Sequence, residues 1–180
     1  SGATITSCYA TGNVVCDYIY NNSNNTKLYG VGGLIGIMSD GTVTQSFASG
    51  NVEVKAFTAG NNAFVDGTLG IGGFVGVLDE VNTYDYESKE FVPFEGDAIT
   101  ECFSGGNVKF GTINETSAVR PYSSTAIVGI GGFSGINKEG IAHVYSSAAV
   151  NATFGDIIAR NSGANYGVGI GGVAGVALGN

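Results

Sequence analysis

The sequence predicts an all-β fold: a repeat β-solenoid, a β-helix-like stack of four ~40-residue repeats with almost no helix. Three observations predict it. The segment Gly-[Val/Ile]-Gly-Gly-[Leu/Phe/Val]-x-Gly occurs four times, at Gly30–Gly36, Gly70–Gly76, Gly129–Gly135 and Gly169–Gly175. A second element, ATITSCYATGNV at Ala3–Val14, returns as TVTQSFASGNV at Thr42–Val52 and AITECFSGGNV at Ala98–Val108, with a degenerate fourth copy at Ile141–Val150. No segment carries a sustained 3.6-residue apolar period or a capped helix start.

Each repeat reads as two strands and a variable return. The first strand is the Gly-Gly stretch, as in Gly32–Met38, closed by Ser39-Asp40-Gly41, where Asp-Gly supplies the positive φ of a tight turn. The second is Thr42–Val54, rich in β-branched and aromatic residues that alternate with period two. The returns are polar and Asn/Gly-rich, at Asn21–Thr26, Gly60–Gly67 and Arg160–Gly167. The doubled glycines begin at Gly32, Gly72, Gly131 and Gly171, at intervals of 40, 59 and 40. The longer middle interval places an insertion at 79–97, in the third repeat of a single array spanning 1–180.

Aligned copies define columns. Tyr9, Phe47, Phe103 and Tyr145 form one; Ile5, Val43, Ile99 and Ile141 a second; Asn13, Asn51 and Asn107 a third that ends at Ala149. One alternate set is small (Cys8, Ser46, Cys102; Ala10, Ala48, Ser104), and a freely varying column, Ser7, Gln45, Glu101 and His143, is expected in solvent. The alternation alone leaves open which face is inward. Glycine at fixed strand positions implies close backbone approach, which stacked coils supply at every repeat. Both ends of the sequence fall at the same phase of the repeat and neither reads as a polar cap. Sticky, head-to-tail ends are therefore expected, whether between copies or with flanking repeats of a longer chain.

Composition narrows the partners. A net charge of −8, with charged residues at 12 %, gives no basic surface for nucleic acid or an anionic membrane. No apolar run reaches the ~18 residues of a membrane helix, so no membrane insertion is expected. The first residues do not read as a secretory leader, so the expectation is a mature chain or a window cut from a longer array. Cys8 and Cys102 share a column two repeats apart, a separation of roughly 9–10 Å at strand spacing, too far for a disulfide. Buried free thiols are expected there, with a Cys8–Cys16 bridge as the minor alternative.

No constellation of catalytic residues recurs. The Gly-rich motif has the spacing G-x-G-G-x-x-G with no following helix, unlike a dinucleotide fingerprint. His143 is the sole histidine, which excludes His-rich zinc sites and the HExxH pair. The insertion holds seven of the 15 acidic residues (Asp79, Glu80, Asp85, Glu87, Glu90, Glu95 and Asp97) beside Tyr84, Tyr86, Phe91 and Phe94. Carboxylate pairs serve glycoside hydrolysis or calcium, but no EF-hand or nonapeptide spacing is present, and a solvated hairpin is expected. Sequons at Asn21, Asn24, Asn114 and Asn151 arise readily in an Asn- and Thr-rich chain. The expectation is no enzyme: no catalytic residues, no cofactor, no metal.

The segments GVGGLIGIMSDGTVTQSFASGNV and GIGGFVG…AITECFSGGNV, with GIGGFSGINKEGIAHVYSSAAV as a weaker copy, resemble the GLUG-motif repeat. That repeat occurs in large bacterial surface and adhesin-like proteins and in non-catalytic parts of immunoglobulin A1 peptidases. The resemblance spans nearly the whole chain apart from the insertion and the returns. It implies an extracellular or cell-surface location and a non-catalytic structural or adhesive role, as a stalk or fibre-forming unit. It carries over no catalytic residue, because the motif has none. Two alternatives stand beside it: a domain that binds a glycan or host surface protein through the 79–97 insertion, and a carbohydrate-active β-helix enzyme.

Overall fold

A computed structural model describes residues 3–17, 19–20, 27–55, 57–58, 64–65, 67–80, 82–85, 87–94, 96–111, 120–121, 127–153 and 167–178. Each repeat makes one coil. The first coil runs β1 (Thr4–Thr6), β2 (Tyr9–Ala10), β3 (Val14–Cys16), β4 (Ile19–Tyr20), β5 (Lys27–Gly32) and β6 (Ile35–Met38). The second runs β7 (Thr42–Thr44), β8 (Phe47–Ala48), β9 (Val52–Val54), β10 (Phe57–Thr58), β11 (Phe64–Val65), β12 (Gly67–Gly72) and β13 (Val75–Leu78). A hairpin follows, β14 (Asn82–Asp85) and β15 (Glu90–Pro93). The third coil is β16 (Asp97–Thr100), β17 (Phe103–Ser104), β18 (Val108–Phe110), β19 (Arg120–Pro121), β20 (Ile127–Gly131) and β21 (Ser134–Asn137). The fourth is β22 (Gly140–Ala142), β23 (Tyr145–Ser146), β24 (Val150–Ala152), β25 (Gly167–Gly171) and β26 (Ala174–Ala177).

Equivalent strands of successive coils pair in parallel, giving five four-stranded sheets and, among the described residues, no helix. We label these sheets A (β1, β7, β16, β22), B (β2, β8, β17, β23), C (β3, β9, β18, β24), D (β5, β12, β20, β25) and E (β6, β13, β21, β26). The register is the repeat alignment. Gly30, Gly70, Gly129 and Gly169 pair in sheet D, and Tyr9, Phe47, Phe103 and Tyr145 pair in sheet B.

Two expectations about the strands are corrected. The doubled glycine does not lie inside a strand; it closes β5 and opens a bend at Gly33–Leu34, so β5 and β6 belong to different sheets. The stretch Thr42–Val54 is three short strands, because Gln45 adopts φ 50° and a second bend falls at Gly50. Ser7, Glu101 and His143 share that left-handed conformation, at φ 54°, 54° and 53°. A left-handed residue breaks strand alternation: Val43 and Ser46 both point inward, three residues apart, while Phe47 points out. The inward faces therefore carry the Ile/Val column and the small columns together, and the aromatic column lies outside.

The chain encloses two cores. Sheets C and D cover the first, with Val52, Val54, Leu69, Ile71, Val108, Phe110, Val128 and Ile130. Sheets A and E cover the second, with Val43, Val75, Leu78, Ile99 and the bend residues Phe74 and Phe133, whose rings stack at 4.7 Å. Between the cores the backbone closes on itself. The faces of sheets D and E that meet are glycine: a methyl group on Gly70 would collide with the Gly76 carbonyl and press on Val77. The second glycine of each pair faces the small column across the narrow waist, Gly33 towards Ala48 and Gly73 towards Ser104, whose hydroxyl donates to the Gly132 carbonyl at 2.7 Å.

Along the stack the same glycine lets the coils approach. A methyl on Gly73 would overlap the carbonyl oxygen of Gly132 in the next coil, and no side-chain rotation relieves a clash with backbone. Gly73→Ala is expected to destabilise by about 1–3 kcal/mol or more, the scale of an overpacked core. A shift of the urea midpoint to lower concentration at unchanged slope checks this; an unchanged midpoint contradicts it.

Candidate functional surfaces

The column exterior is built from ladders. In sheet B the aromatic column lies in line, with Tyr9 stacked on Phe47 at 5.3 Å and Phe103 on Tyr145 at 5.4 Å, and all four backbones in register. Tyr9 and Tyr145 are 68 % and 62 % exposed, so the ring edges form an outward stripe whose faces are largely taken by one another. Beside it, Gln45 donates from Nε2 to Glu101 Oε2 at 3.0 Å, and His143 is exposed in the same left-handed column. In sheet C the outward residues pair by charge across coils: Lys109 with Glu53 at 2.8 Å, and nearby Lys55 with Asp17 at 2.7 Å. The Lys109 ammonium holds the Glu53 carboxyl below its ordinary value of 4.5. That small contribution is present above pH 4.5 and is lost as the pH falls through the lower folded value.

The asparagine column has a direction. The amide N–H of Asn51 donates to Asn13 Oδ1 at 2.9 Å, that of Asn107 to Asn51 Oδ1 at 2.9 Å, and that of Ala149 to Asn107 Oδ1 at 3.1 Å. Each asparagine thus serves the coil after its own. Ala149 donates its N–H to Asn107 but has no side-chain oxygen to accept from a further coil. The column was legible as a repeated residue, but its polarity required the stacked geometry.

The insertion contains the antiparallel β14–β15 hairpin, with Tyr84 opposite Phe91 and a turn at Glu87–Lys89 where Lys89 has φ 59°. Glu80, Glu87, Glu90 and Asp97 are exposed, whereas Asp79 Oδ1 meets Lys138 Nζ of the following turn at 2.6 Å. Phe94, at the base, packs against the second core. Tyr86 and Glu95 lie outside the described residues, as do the returns at 21–26 and 160–166 and the sequons at Asn21, Asn24 and Asn114. Asn151 is exposed on β24. Among the described residues no three His, Cys, Asp or Glu side chains converge as a metal site, and no helix is long and apolar enough to cross a membrane.

None of the three cysteines is in a disulfide. Cys102 is buried, as its column implies, and burial raises its thiol pKa above the ordinary value. Cys8 departs from the expectation of a buried thiol: it is exposed, because the first coil has no described coil before it to cover that position.

The first and fourth coils present open faces. Around the first, Ile37 is 43 % exposed, and Ile5, Ile35, Ile37, Met38 and Val43 line a groove of about 300 Å³ where the second core opens. On the fourth, Ile170, Val173 and Leu178 are 52 %, 42 % and 47 % exposed. The middle-coil counterparts of Ile37, Ile170 and Val173 (Val77 and Ile136, Ile71 and Ile130, Phe74 and Phe133) are fully buried.

Compared with protein-family models, curated proteins and solved structures, the chain has no match.

Thiol chemistry checks the placement of the columns. Native protein exposed briefly to a maleimide should be modified at Cys8 and spared at Cys102, with Cys102 reacting only after unfolding; peptide mass mapping reads the difference. Rapid native labelling of Cys102 contradicts the inward assignment of that column.

Proposed function

We propose that this chain is a non-catalytic structural or adhesive module of a secreted or cell-surface protein, acting as a stalk or fibre-forming unit. One observation carries the reading: five parallel ladders run through every coil, in register but for a bulge at Asp97–Ile99, and the bend-glycine, aromatic and asparagine columns join one coil to the next. Such a stack grows by adding coils, each contacting only its neighbours, which is how a repeat protein sets length. The resemblance of its Gly-Gly and Gly-Asn-Val segments to the GLUG repeat supports the extracellular setting. The acidic balance, with its few charges, accords with a column that neither nucleic acid nor a membrane recruits.

A second reading has its own observation. The β14–β15 hairpin belongs to none of the five ladders and presents Glu87, Ser88, Lys89, Glu90 and Val92 in exposed positions. As a contact loop for a glycan or a host surface protein it would make the column a presenting scaffold.

One variant separates the two. Replacing residues 80–93 by a short Ser-Asp turn, while keeping Asp79 and Phe94, is expected to leave the melting temperature within a few degrees, since loop length costs little closure entropy. For a stalk, glycan-array and cell-surface binding should be the same with and without the hairpin. A glycan or surface protein bound by the native chain and lost in the variant would establish the second reading, and collapse of the fold would show that the hairpin is part of the core.

A further inference from the structure

Among the described glycines, Gly12, Gly167 and Gly172 have open space where a methyl would go, and two of them belong to columns that are crowded in the other coils. Gly33, Gly73 and Gly132 are glycine because the carbonyl of the equivalent residue in the next coil stands where a methyl would go. Gly172 completes that column, yet a methyl there would meet nothing within 4 Å. Gly50 and Gly106 meet the mirror constraint, the carbonyl of the preceding coil, although the fourth copy carries Ala148 in that column; Gly12 begins it and likewise faces open space. The fourth copy is not a mere duplicate, since Thr, Gly and Asn of its columns have become Ala142, Ala148 and Ala149. Gly172 nevertheless remains.

We propose that the two open faces are the halves of one interface, so that the fourth coil of one copy seats on the first coil of a second copy. The proposal rests on the structural reading above and names its partner: another copy of this chain. The same interface already occurs three times within the chain, between successive coils and in one register. Continued once more, it sets Gly171 beside Gly32 and lays Val173 on Leu34. The bend donors run in series, Leu34 N–H to Phe74 at 2.9 Å, Phe74 to Phe133 at 2.9 Å and Phe133 to Val173 at 2.9 Å, and the Val173 N–H is the next donor. The joint sets Ile170 on Val31 in the first core and Val173 on Leu34 at the edge of the second, where Ala174 and Ala177 come over Ile35 and Met38 of the groove. Such a contact is heterologous and extends as a filament unless its rotation closes a ring. One ladder weakens at the joint: Asn13 meets Ala149, which offers no side-chain acceptor.

The open space beside these glycines makes the test selective. A Cβ at Gly172 or Gly12 meets nothing of its own chain within 4 Å, so Gly172→Val and Gly12→Val should fold with near-native thermal stability; the first places a side chain where the incoming carbonyl must sit, and the second places one larger than the Ala148 methyl that its column accepts. The native chain should show a mass that rises with concentration in steps of 18.2 kDa by multi-angle light scattering. Each variant alone should stay monomeric. Mixed in equal amounts, they should form a one-to-one dimer and nothing larger, because each retains one good face and the two good faces are complementary. Ala149→Asn should tighten association by restoring the missing acceptor. A native chain that stays monomeric at millimolar concentration overturns the proposal, as does association that survives both substitutions. If one variant fails to fold, the other still carries the test: a single blocked face stops growth of the native filament or the proposal fails. Failure here leaves the stalk reading standing, since that reading falls only with the hairpin-dependent ligand described above.

Discussion

Coil-to-coil spacing governs this molecule. Parallel in-register strands sit about 4.8 Å apart, and every coil must present the same shape to its neighbours at that distance. A column of identical small residues is then a geometric requirement. Gly33, Gly73 and Gly132 admit the next coil's carbonyl, Gly76 admits the backbone of the preceding coil, and Gly70 lets two sheets of one coil touch without a side chain between them. With the waist closed, the apolar residues are divided into two slim cores, each filled by the same column in successive coils. Phe74 on Phe133, and Ile71 beside Ile130, are the outcome. Burial of a Phe or Ile contributes about 1.5–3 kcal/mol, so the middle coils, whose columns are covered on both sides, carry most of the stability.

Polar columns obey the same spacing. An asparagine amide reaches the next backbone N–H only because the coils repeat without offset, and a glutamate meets a lysine one coil away in the same position of the turn. A neutral backbone bond of this kind contributes about 0.5–1.5 kcal/mol, and it also fixes register, since a slip of one residue would turn every inward side chain outward. The proposed stalk role follows from this economy of contacts: strength lies along the axis, while the outer surface is left to vary, as the column Ser7, Gln45, Glu101 and His143 does.

Much of this was legible from residues. The period, the aromatic column, the Ile/Val column and the site of the insertion all follow from aligning the sequence with itself, because equal spacing in the chain becomes equal position in the coil; which column faces inward does not. The local path was harder to read. Gln45 and Glu101 look like polar strand residues, and nothing in their identity announces a left-handed φ; the clue was that a strand with strict alternation could not bury both Val43 and Ser46. The doubled glycine resembled strand interior because its flanks are apolar, and the bend at Gly33–Leu34 appears only once the two cores are drawn. Asn13, Asn51 and Asn107 were visible as a column, but their hydrogen bonds join residues 38 to 56 apart, beyond any local pattern. Phe94 lies in an acidic stretch and reads as part of an exposed loop, whereas it closes the second core from the side.

Hydrogen exchange of the native chain in dilute solution tests the central claim most directly. If coil-on-coil stacking dominates stability, the amides of β12, β13, β20 and β21 should exchange only through global unfolding, and those of β1 and β24 should exchange faster through local opening of the outer coils. Uniform protection across all four coils, or protection greatest in the first and fourth, would contradict it.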